Sequence, residues 1–285
     1  MVDKPDGMTS HDVVNRVRRI MGTRKVGHAG TLDPMATGVL VLGVERATKL
    51  LGHLSLDSKA YLATIRLGAA TTTDDAQGEI LSEVDASGVE DSAVAEEIAT
   101  LSGAIQQVPS AVSAVKVDGK RAYARVWAGE QVQLPARPVV VHRFDLLATR
   151  REERTVELDV MVECSSGTYV RALARDLGAA LGVGGHLGAL RRTRVGPFDL
   201  RVARTLDALE ESPELSMNLD EAVGVAFPGR QVTEREATAL SHGHWLPAGG
   251  IAGTYGVFGQ DGHAIALVAD EGDTARPIVV LTPAS

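Results

Sequence analysis

The order of strand and helix patterns along the chain is the feature that most constrains its fold. Apolar residues recur at helical spacing in some segments and alternate with polar residues in others, and the two kinds of segment follow no strict β-α-β order. This mixture predicts an α+β fold with a mixed, mostly antiparallel sheet flanked by helices. The predicted strands lie at 39–44, 59–67, 139–149 and 155–165, and the predicted helices at 10–20, 89–102 and 165–182.

Glycine, proline and polar residues mark the predicted ends and loops. Ser10 is a candidate N-cap for the first helix, and the Gly- and Pro-rich stretch 26–38 is typical of a loop. The stretch 71–78 reads as a turn-rich link into a short strand. Prolines also bound the segment 109–138, which we interpret as an insertion with a short helix around 121–128.

The C-terminal part of the chain differs in composition from the rest. Between 206 and 229 the sequence turns acidic, and beyond it a short helix at 233–243 precedes three short strand patterns. A chain of 285 residues is long enough for two domains. We therefore expect one domain over 1–209, and a linker with a small β-rich domain over 210–285.

The net charge of −8 is unevenly distributed along the chain. Segments 67–115 and 205–285 each carry −9, and the rest of the chain carries +10. A polyanion responds to charge within about 10 Å, the screening length near 0.1 M salt, more than to the molecular total. The basic segments are compatible with an RNA-binding surface and equally with solvated charge on ordinary helices.

Composition excludes several classes of protein. The single cysteine, Cys164, forms no internal disulfide or Cys-cluster metal site and favours the cytoplasm. No apolar run reaches the roughly 18 residues of a membrane helix and no signal peptide opens the chain, so no membrane partner is expected. The chain has no P-loop, and His242 and His244 lack a third ligand nearby in the sequence. We therefore expect no cofactor and no metal.

Asp33 is the strongest candidate for a catalytic group. Pro34 favours an extended backbone at Asp33, Gly30 and Gly38 permit close backbone approach, and an apolar strand follows. This pattern holds a lone carboxylate at the end of a loop. The alternative is an ordinary Asp-Pro turn.

A cationic pair and two aromatic residues are further candidates. Arg171 and Arg175 lie four residues apart on one predicted helix, where a pocket arginine would keep Asp33 ionised, although an exposed pair is an equally ordinary arrangement. Tyr61 and Tyr169 stand out in a chain that is only 4% aromatic. Either ring is suited to stacking on a base or to packing in the core.

Six sequence blocks together resemble one family. The chain is similar to the TruB family of bacterial tRNA pseudouridine synthases over residues 2–209, and its C-terminal module is more weakly similar to the PUA-like RNA-binding domain of actinobacterial members. The blocks are VDKPDGMTSHDVV (2–14), RKVGHAGTLDPMATGVLVLGVERATKL (24–50), KAYLATIRLG (59–68), VPSAVSAVKVDGKRAYARVWAGE (108–130), CSSGTYVRALARDLGAALG (164–182) and HLGALRRTRVGPF (186–198).

The resemblance implies an isomerase that converts uridine-55 in the T-loop of tRNA into pseudouridine, without cofactor or metal. Asp33 would be the catalytic carboxylate, acting either as a nucleophile or by abstracting a ribose proton. Tyr61 would stack on the flipped uracil and help to remove its C5 proton, and Arg171 would pair with Asp33. Tyr169 and Leu190 would line the uracil pocket, and His28 would fill space near the extruded nucleotide.

The resemblance also implies how the RNA is held. Segment 109–138 corresponds to the family's thumb insertion, whose cations, Lys116, Lys120, Arg121 and Arg125, would contact phosphates of the tRNA T-arm. Lys4 belongs to the first block and is a further candidate RNA-binding residue. No obligate protein partner is implied, and we expect a monomer.

Two departures from the family pattern bear on these expectations. Family members carry an apolar strand before the DKP block, whereas this chain begins at Met1-Val2, so the first edge strand is left open. Segment 71–78 lacks a basic residue found in many relatives, so a different partner is expected for Asp75.

Two other classes of function stay open. An RNA-binding or folding chaperone would keep the platform without catalysis. A hydrolase would use the Ser113-x-x-Lys116 pair, which lacks the companion motifs of such enzymes.

Overall fold

A computed structural model describes residues 1–54, 58–110, 116–117, 120–121 and 134–283. The helices in this part of the chain are α1 (Ser10–Ile20), α2 (Leu51–Leu54), α3 (Asp91–Thr100), α4 (Val170–Ala180), α5 (Leu206–Glu211), α6 (Leu219–Ala226) and α7 (Glu234–Ser241). None of the helices in the described ranges is long and apolar enough to cross a membrane.

The strands are short in the C-terminal part and longest in the middle of the chain. In order they are β1 (Val2–Lys4), β2 (Val26–Ala29), β3 (Thr37–Val44), β4 (Lys59–Leu67), β5 (Ala69–Thr71), β6 (Ile80–Glu83), β7 (Gly103–Gln107), β8 (Lys116–Val117), β9 (Lys120–Arg121), β10 (Arg137–Arg151), β11 (Val156–Cys164), β12 (Gly185–Val195), β13 (Phe198–Asp199), β14 (Gly229–Gln231), β15 (Leu246–Pro247), β16 (Thr254–Phe258), β17 (Ala264–Glu271) and β18 (Thr274–Val280).

The chain divides into two compact units. The first comprises 1–33, 39–55 and 196–285, and the second comprises 34–38 and 56–195. Each unit contains segments from several parts of the chain, so the division does not test the domain boundary expected at residue 209. That boundary stays a prediction.

The second unit is built on an antiparallel sheet in the order β12-β4-β11-β10-β7. One face of β4 and β11 is buried, because alternate residues such as Ile65, Leu67, Leu158 and Val160 are fully enclosed. The first two residues of β3 pair in parallel with β12, which makes the sheet mixed. The α+β class predicted from the sequence is confirmed.

Helix α4 packs against β12 and β4 through its apolar side. Its residues Leu173 and Leu177 are fully buried. The helix ends in a tight approach to β12, where a Cβ on Gly178 would lie 2.2 Å from the nitrogen of Gly185. This contact fixes the helix, and with it the residues at its first turn, on the sheet.

The first unit places α1 beside a hairpin formed by β2 and β3. Val13, Val14 and Val17 form the buried side of α1. Residues Val2–Lys4 form a short edge strand, β1. This strand includes the first two residues of the DKP block, so it is not the apolar strand that family members carry before the block.

The C-terminal residues of the first unit form a separate five-stranded sheet in the order β14-β16-β17-β18-β15. Its core combines apolar residues of the sheet, such as Tyr255, Val257 and Val268, with Leu240 of α7. The small β-rich module expected from the sequence is therefore present.

Most predicted elements are confirmed, with three corrections. Ser10 is not the N-cap of α1, because Thr9 caps it in a reciprocal capping box with Asp12. The stretch 26–38 is not all loop, because Val26–Ala29 pairs with the end of β3. Strand β12 was not predicted, since its three arginines and two glycines mask the strand pattern. The helix predicted around 121–128 begins at a residue of β9 and otherwise lies outside the described residues.

Candidate active site

In the first unit, the residue before Asp33 is Leu32, and both its N–H and its carbonyl oxygen are hydrogen-bonded to one side chain. The hydroxyl of Ser10 donates to the carbonyl oxygen of Leu32 at 3.1 Å and accepts from its N–H at 2.9 Å. Ser10 and Leu32 are both buried, whereas Asp33 is half-buried. Helix α1 therefore fixes the backbone immediately before the candidate catalytic carboxylate.

The other predicted residues of the first unit differ in exposure. His28 is half-buried on β2, opposite Leu42 of β3. Lys4 is fully buried and its ammonium donates to the carbonyl oxygen of Pro5 at 2.8 Å. The role of His28 beside the RNA stays a prediction, whereas the expected RNA contact of Lys4 is corrected, because its side chain has no exposed surface.

In the second unit, Tyr61 and Leu190 lie on adjacent strands and on one face of the sheet. Tyr61 of β4 is directly opposite Arg192 of β12, and Ala63 is opposite Leu190, so the alternate residues of both strands share this face. Tyr61 is 7% exposed and Leu190 is 8% exposed. The structure thus brings together two of the residues predicted to contact the uracil.

Arg192 is a buried cation beside the Tyr61 phenol. It is 1% exposed and donates a hydrogen bond to the Tyr61 hydroxyl. Burial lowers the pKa of Arg192, and the interaction with Tyr61 opposes that shift. The backbone around Arg192 is also tightly packed, since a Cβ on Gly38 would lie 2.1 Å from the Arg192 carbonyl oxygen.

Arg171, in the first turn of α4, forms an ion pair with Asp75. Arg171 Nη1 lies 3.5 Å from Asp75 Oδ2, and both side chains are 6% exposed. The same Nη1 donates to the carbonyl oxygen of Thr73 at 2.9 Å. Arg171 is therefore not an ordinary exposed arginine, and it is the partner of Asp75 that the sequence left unidentified.

Asp75 is itself held in place by its own segment. Its Oδ1 accepts from the Thr73 hydroxyl at 2.6 Å and from the Gln77 N–H at 3.0 Å. The segment pairs with β12, since the Ala76 N–H donates to the Leu187 carbonyl oxygen at 2.9 Å. The carboxylate that faces Arg171 is thus rigidly placed before any substrate binds.

Tyr169 is the N-cap residue of α4 and its ring lies under a guanidinium. The Cζ of Arg137 lies 4.9 Å from the centre of the Tyr169 ring, a cation–π distance. The side chain of Gln107 hydrogen-bonds to both the N–H and the carbonyl oxygen of Tyr169. Arg175, one turn further along α4 than Arg171, donates to the carbonyl oxygen of Val108 at 2.8 Å.

The insertion is described only in part. Lys116–Val117 and Lys120–Arg121 pair as a two-stranded antiparallel hairpin. The side chains of Lys116, Lys120 and Arg121, and the whole of Arg125, lie outside what the structure describes. Their contacts with RNA stay predictions.

Sequence reasoning missed several polar residues that support these sites. Ser10, Gln107 and Arg192 each hydrogen-bond to a residue that is distant in the sequence. No local sequence pattern predicts these contacts. Within the described ranges, no group of three or more His, Cys, Asp or Glu side chains is arranged to hold a metal ion.

Three family models match successive parts of the chain, and all three describe pseudouridine synthases. Residues 18–170 match the TruB family pseudouridylate synthase (N-terminal domain), and residues 171–223 match the tRNA pseudouridylate synthase B C-terminal domain. Residues 227–282 match the C-terminal domain of tRNA pseudouridine synthase II.

Curated relatives match along the whole chain. The tRNA pseudouridine synthase B of Nocardia farcinica is 65% identical over 99% of this chain and 92% of its own length. The enzyme of the same name from Corynebacterium aurimucosum is 62% identical over 100% of this chain and 96% of its own length. That of Mycobacterium tuberculosis strain H37Rv is 57% identical with the same coverage.

Solved structures share the fold. A chain from an H/ACA RNP bound to a substrate RNA containing 2'-deoxyuridine has a TM-score of 0.74 and 25% sequence identity, covering 99% of this chain and 84% of that one. A chain from a Cbf5-Nop10-Gar1 complex has a TM-score of 0.72 and 27% identity, covering 99% of this chain and 84% of that one. Family models, full-length relatives and fold agree, and the chain belongs to the TruB family of pseudouridylate synthases.

Proposed function

We propose that this chain is a tRNA pseudouridine synthase that isomerises uridine-55 in the T-loop. The observation that carries the proposal is the identity of 65% over 99% of the chain to a curated tRNA pseudouridine synthase B. The reaction is an isomerisation: the bond between N1 and C1' breaks, a bond between C5 and C1' forms, and the C5 proton leaves to solvent while N1 gains a proton.

Asp33 is the proposed catalytic carboxylate. It acts either by attacking the nucleoside or by abstracting a ribose proton, and in both cases the uracil detaches, rotates and rejoins through C5. The anchor of Ser10 on Leu32 supports the role, because catalysis requires a carboxylate whose backbone is fixed before the substrate arrives. Arg171 is proposed as the cation that pairs with Asp33.

Tyr61 is proposed to stack on the flipped uracil and to help to remove the C5 proton, which leaves to solvent. A base must leave the helical stack before an enzyme modifies it, and aromatic stacking compensates part of the cost of flipping. The hydrogen bond from Arg192 supports the second role, because a positive charge beside the phenol oxygen stabilises a transient phenolate. Leu190 and Tyr169 would form the walls of the uracil pocket.

The proposed partner is the T-arm of tRNA, bound by a monomer in the cytoplasm. His28 and the insertion residues Lys116, Lys120 and Arg121 are the proposed RNA contacts, and the single cysteine, Cys164, supports a reducing compartment. Cationic contacts to phosphate release counterions, so tRNA affinity is expected to fall steeply with added salt despite the net charge of −8. Affinity that does not change with salt would contradict this mode of binding.

A tritium-release assay tests the function. A tRNA transcript labelled at uridine C5 is incubated with the wild-type protein, with Asp33→Asn and with the control Asp6→Asn, whose carboxylate is exposed. The wild type and the control should release label and Asp33→Asn should release none. Binding without release by the wild type would support the chaperone alternative, and release by Asp33→Asn at the wild-type rate would refute the catalytic role of Asp33.

A further inference from the structure

Gln107, the last residue of β7, makes two hydrogen bonds with a single distant residue. Its Oε1 accepts from the N–H of Tyr169 at 2.8 Å, and its Nε2 donates to the carbonyl oxygen of Tyr169 at 3.1 Å. Gln107 is 0% exposed, so these bonds are made away from solvent. The carboxamide offers one donor and one acceptor to one backbone residue, as a neighbouring strand does.

The residue held in this way stands at a junction that lacks its own cap. Tyr169 is the N-cap of α4 but makes no side-chain capping bond, and its backbone is extended. Its carbonyl oxygen already accepts from the Leu173 N–H at 3.2 Å, the first bond of the helix. Gln107 therefore satisfies the Tyr169 N–H and the second lone pair of its carbonyl oxygen, which would otherwise be partnerless or bound to water.

Two neighbouring contacts converge on the same junction. Arg137 lies directly opposite Gln107 in the pairing of β10 with β7, and it places its guanidinium over the Tyr169 ring and donates to the Gly167 carbonyl oxygen. Val108 follows Gln107 in the sequence, and its carbonyl oxygen accepts a hydrogen bond from Arg175 of α4. The end of β7 thus determines where α4 begins.

We propose that Gln107 is a positioning residue for the isomerisation, acting through Tyr169 on the uracil pocket and through the first turn of α4 on Arg171. Arg171 follows Tyr169 by two residues and bonds to Asp75 and to the Thr73 carbonyl oxygen, so a shift of the helix start moves the cation against these fixed partners. This inference rests on the proposed function. A displacement of the order of 1 Å in such a group costs about 100-fold in rate.

The first test separates chemistry from binding. Gln107→Met keeps the length of the side chain and removes both hydrogen bonds, and Gln106→Met is the matched control because Gln106 is exposed on the same strand. With enzyme in excess over labelled tRNA, Gln107→Met should lower the single-turnover rate of tritium release about 10- to 100-fold, with a tRNA Kd within about threefold of the wild type. The control should match the wild type in both. An unchanged rate, or a loss confined to Kd, would overturn the proposal.

The second test uses a pH profile that a merely structural defect would not produce. In Gln107→Glu the ionised carboxylate still accepts from the Tyr169 N–H but places an oxygen against the Tyr169 carbonyl oxygen. Protonation restores a donor at that position. Burial raises the pKa of the introduced carboxyl, whereas the guanidinium of Arg137, opposite on β10, and that of Arg175, bound to the Val108 carbonyl oxygen, lower it. The rate of this variant relative to the wild type should therefore rise as the pH is lowered from about 8 to about 6. A Gln107→Glu rate equal to that of the wild type across this range would overturn the proposal, including when Gln107→Met fails to fold.

The wild-type control keeps the two proposals distinguishable. If the wild type releases no tritium, the proposed function fails. If the wild type releases tritium and Gln107→Met does so equally fast, the function stands and the positioning role of Gln107 alone is refuted.

Discussion

Replacing Asp75 with asparagine is expected to destabilise the protein severely, because it removes the carboxylate that faces the buried Arg171 guanidinium. Arg171 and Asp75 are each 6% exposed and lie 3.5 Å apart. Asparagine retains an oxygen for the Thr73 hydroxyl and the Gln77 N–H, which lie 2.6 Å and 3.0 Å from Asp75 Oδ1. Its amide nitrogen then faces Arg171, so a donor meets a donor.

The magnitude follows from the cost of breaking a buried pair by removing one partner. That cost is about 3–5 kcal/mol, since the remaining charge stays in a poorly solvated site. For a unit of this size each kcal/mol shifts the melting temperature by about 2–4 °C, so a decrease of roughly 6–20 °C is expected. Thermal unfolding followed by circular dichroism measures it.

Asp74→Asn is the matched control. Asp74 pairs with Arg175 at 3.2 Å, but this pair is less buried than Arg171–Asp75, because the Arg175 and Asp74 side chains are 28% and 13% exposed. The backbone at Asp74 has φ of 60°, which asparagine adopts readily. The control should therefore cost about 1 kcal/mol or less. Equal melting temperatures for the two variants would refute the claim that burial makes the Arg171–Asp75 pair special.

Three further outcomes are expected. Gly38→Ala places a Cβ 2.1 Å from a β12 carbonyl oxygen at a φ of +100°, so it should lower the free energy of unfolding in denaturant by more than about 3 kcal/mol. Gly88→Ala, which has open space around it, should be close to neutral. Ser10→Ala removes the partner of the buried Leu32 N–H, so it should cost about 1–3 kcal/mol and also slow tritium release; an unchanged release rate would contradict the anchoring role. The Cys164 thiol, whose pKa burial raises to about 11, should react with a thiol reagent at pH 8 only after unfolding, and fast labelling of the native protein would contradict its burial.

Local sequence patterns were sufficient to predict the helices and strands that pack one apolar face against the core. Helix α1 and strands β4 and β11 follow their periodicity closely, because each buries one face and exposes more of the other. The fold class and the C-terminal module followed from the order of such patterns. The family blocks supplied the site residues, which periodicity alone does not distinguish from core and surface positions.

Strand β12, which was not predicted, combines charge with burial. Strand β12 contains a fully buried arginine, Arg192, so the polar residue that marks a solvent face in most strands points inward here. The partners of Tyr169 and Arg171 lie 62 and 96 residues away in the chain, at Gln107 and Asp75. Such contacts depend on tertiary packing and cannot be predicted from the spacing of residues in the sequence.

Mapping the product on tRNA is the most direct test of the central claim that this chain converts uridine-55 by means of Asp33. An unmodified tRNA transcript is treated with wild type or Asp33→Asn, and pseudouridine is located by carbodiimide modification and primer extension. The wild type should give one enzyme-dependent stop, immediately 3' of position 55, and Asp33→Asn should give none. Pseudouridine only at other positions, or at position 55 in the Asp33→Asn reaction, would contradict it.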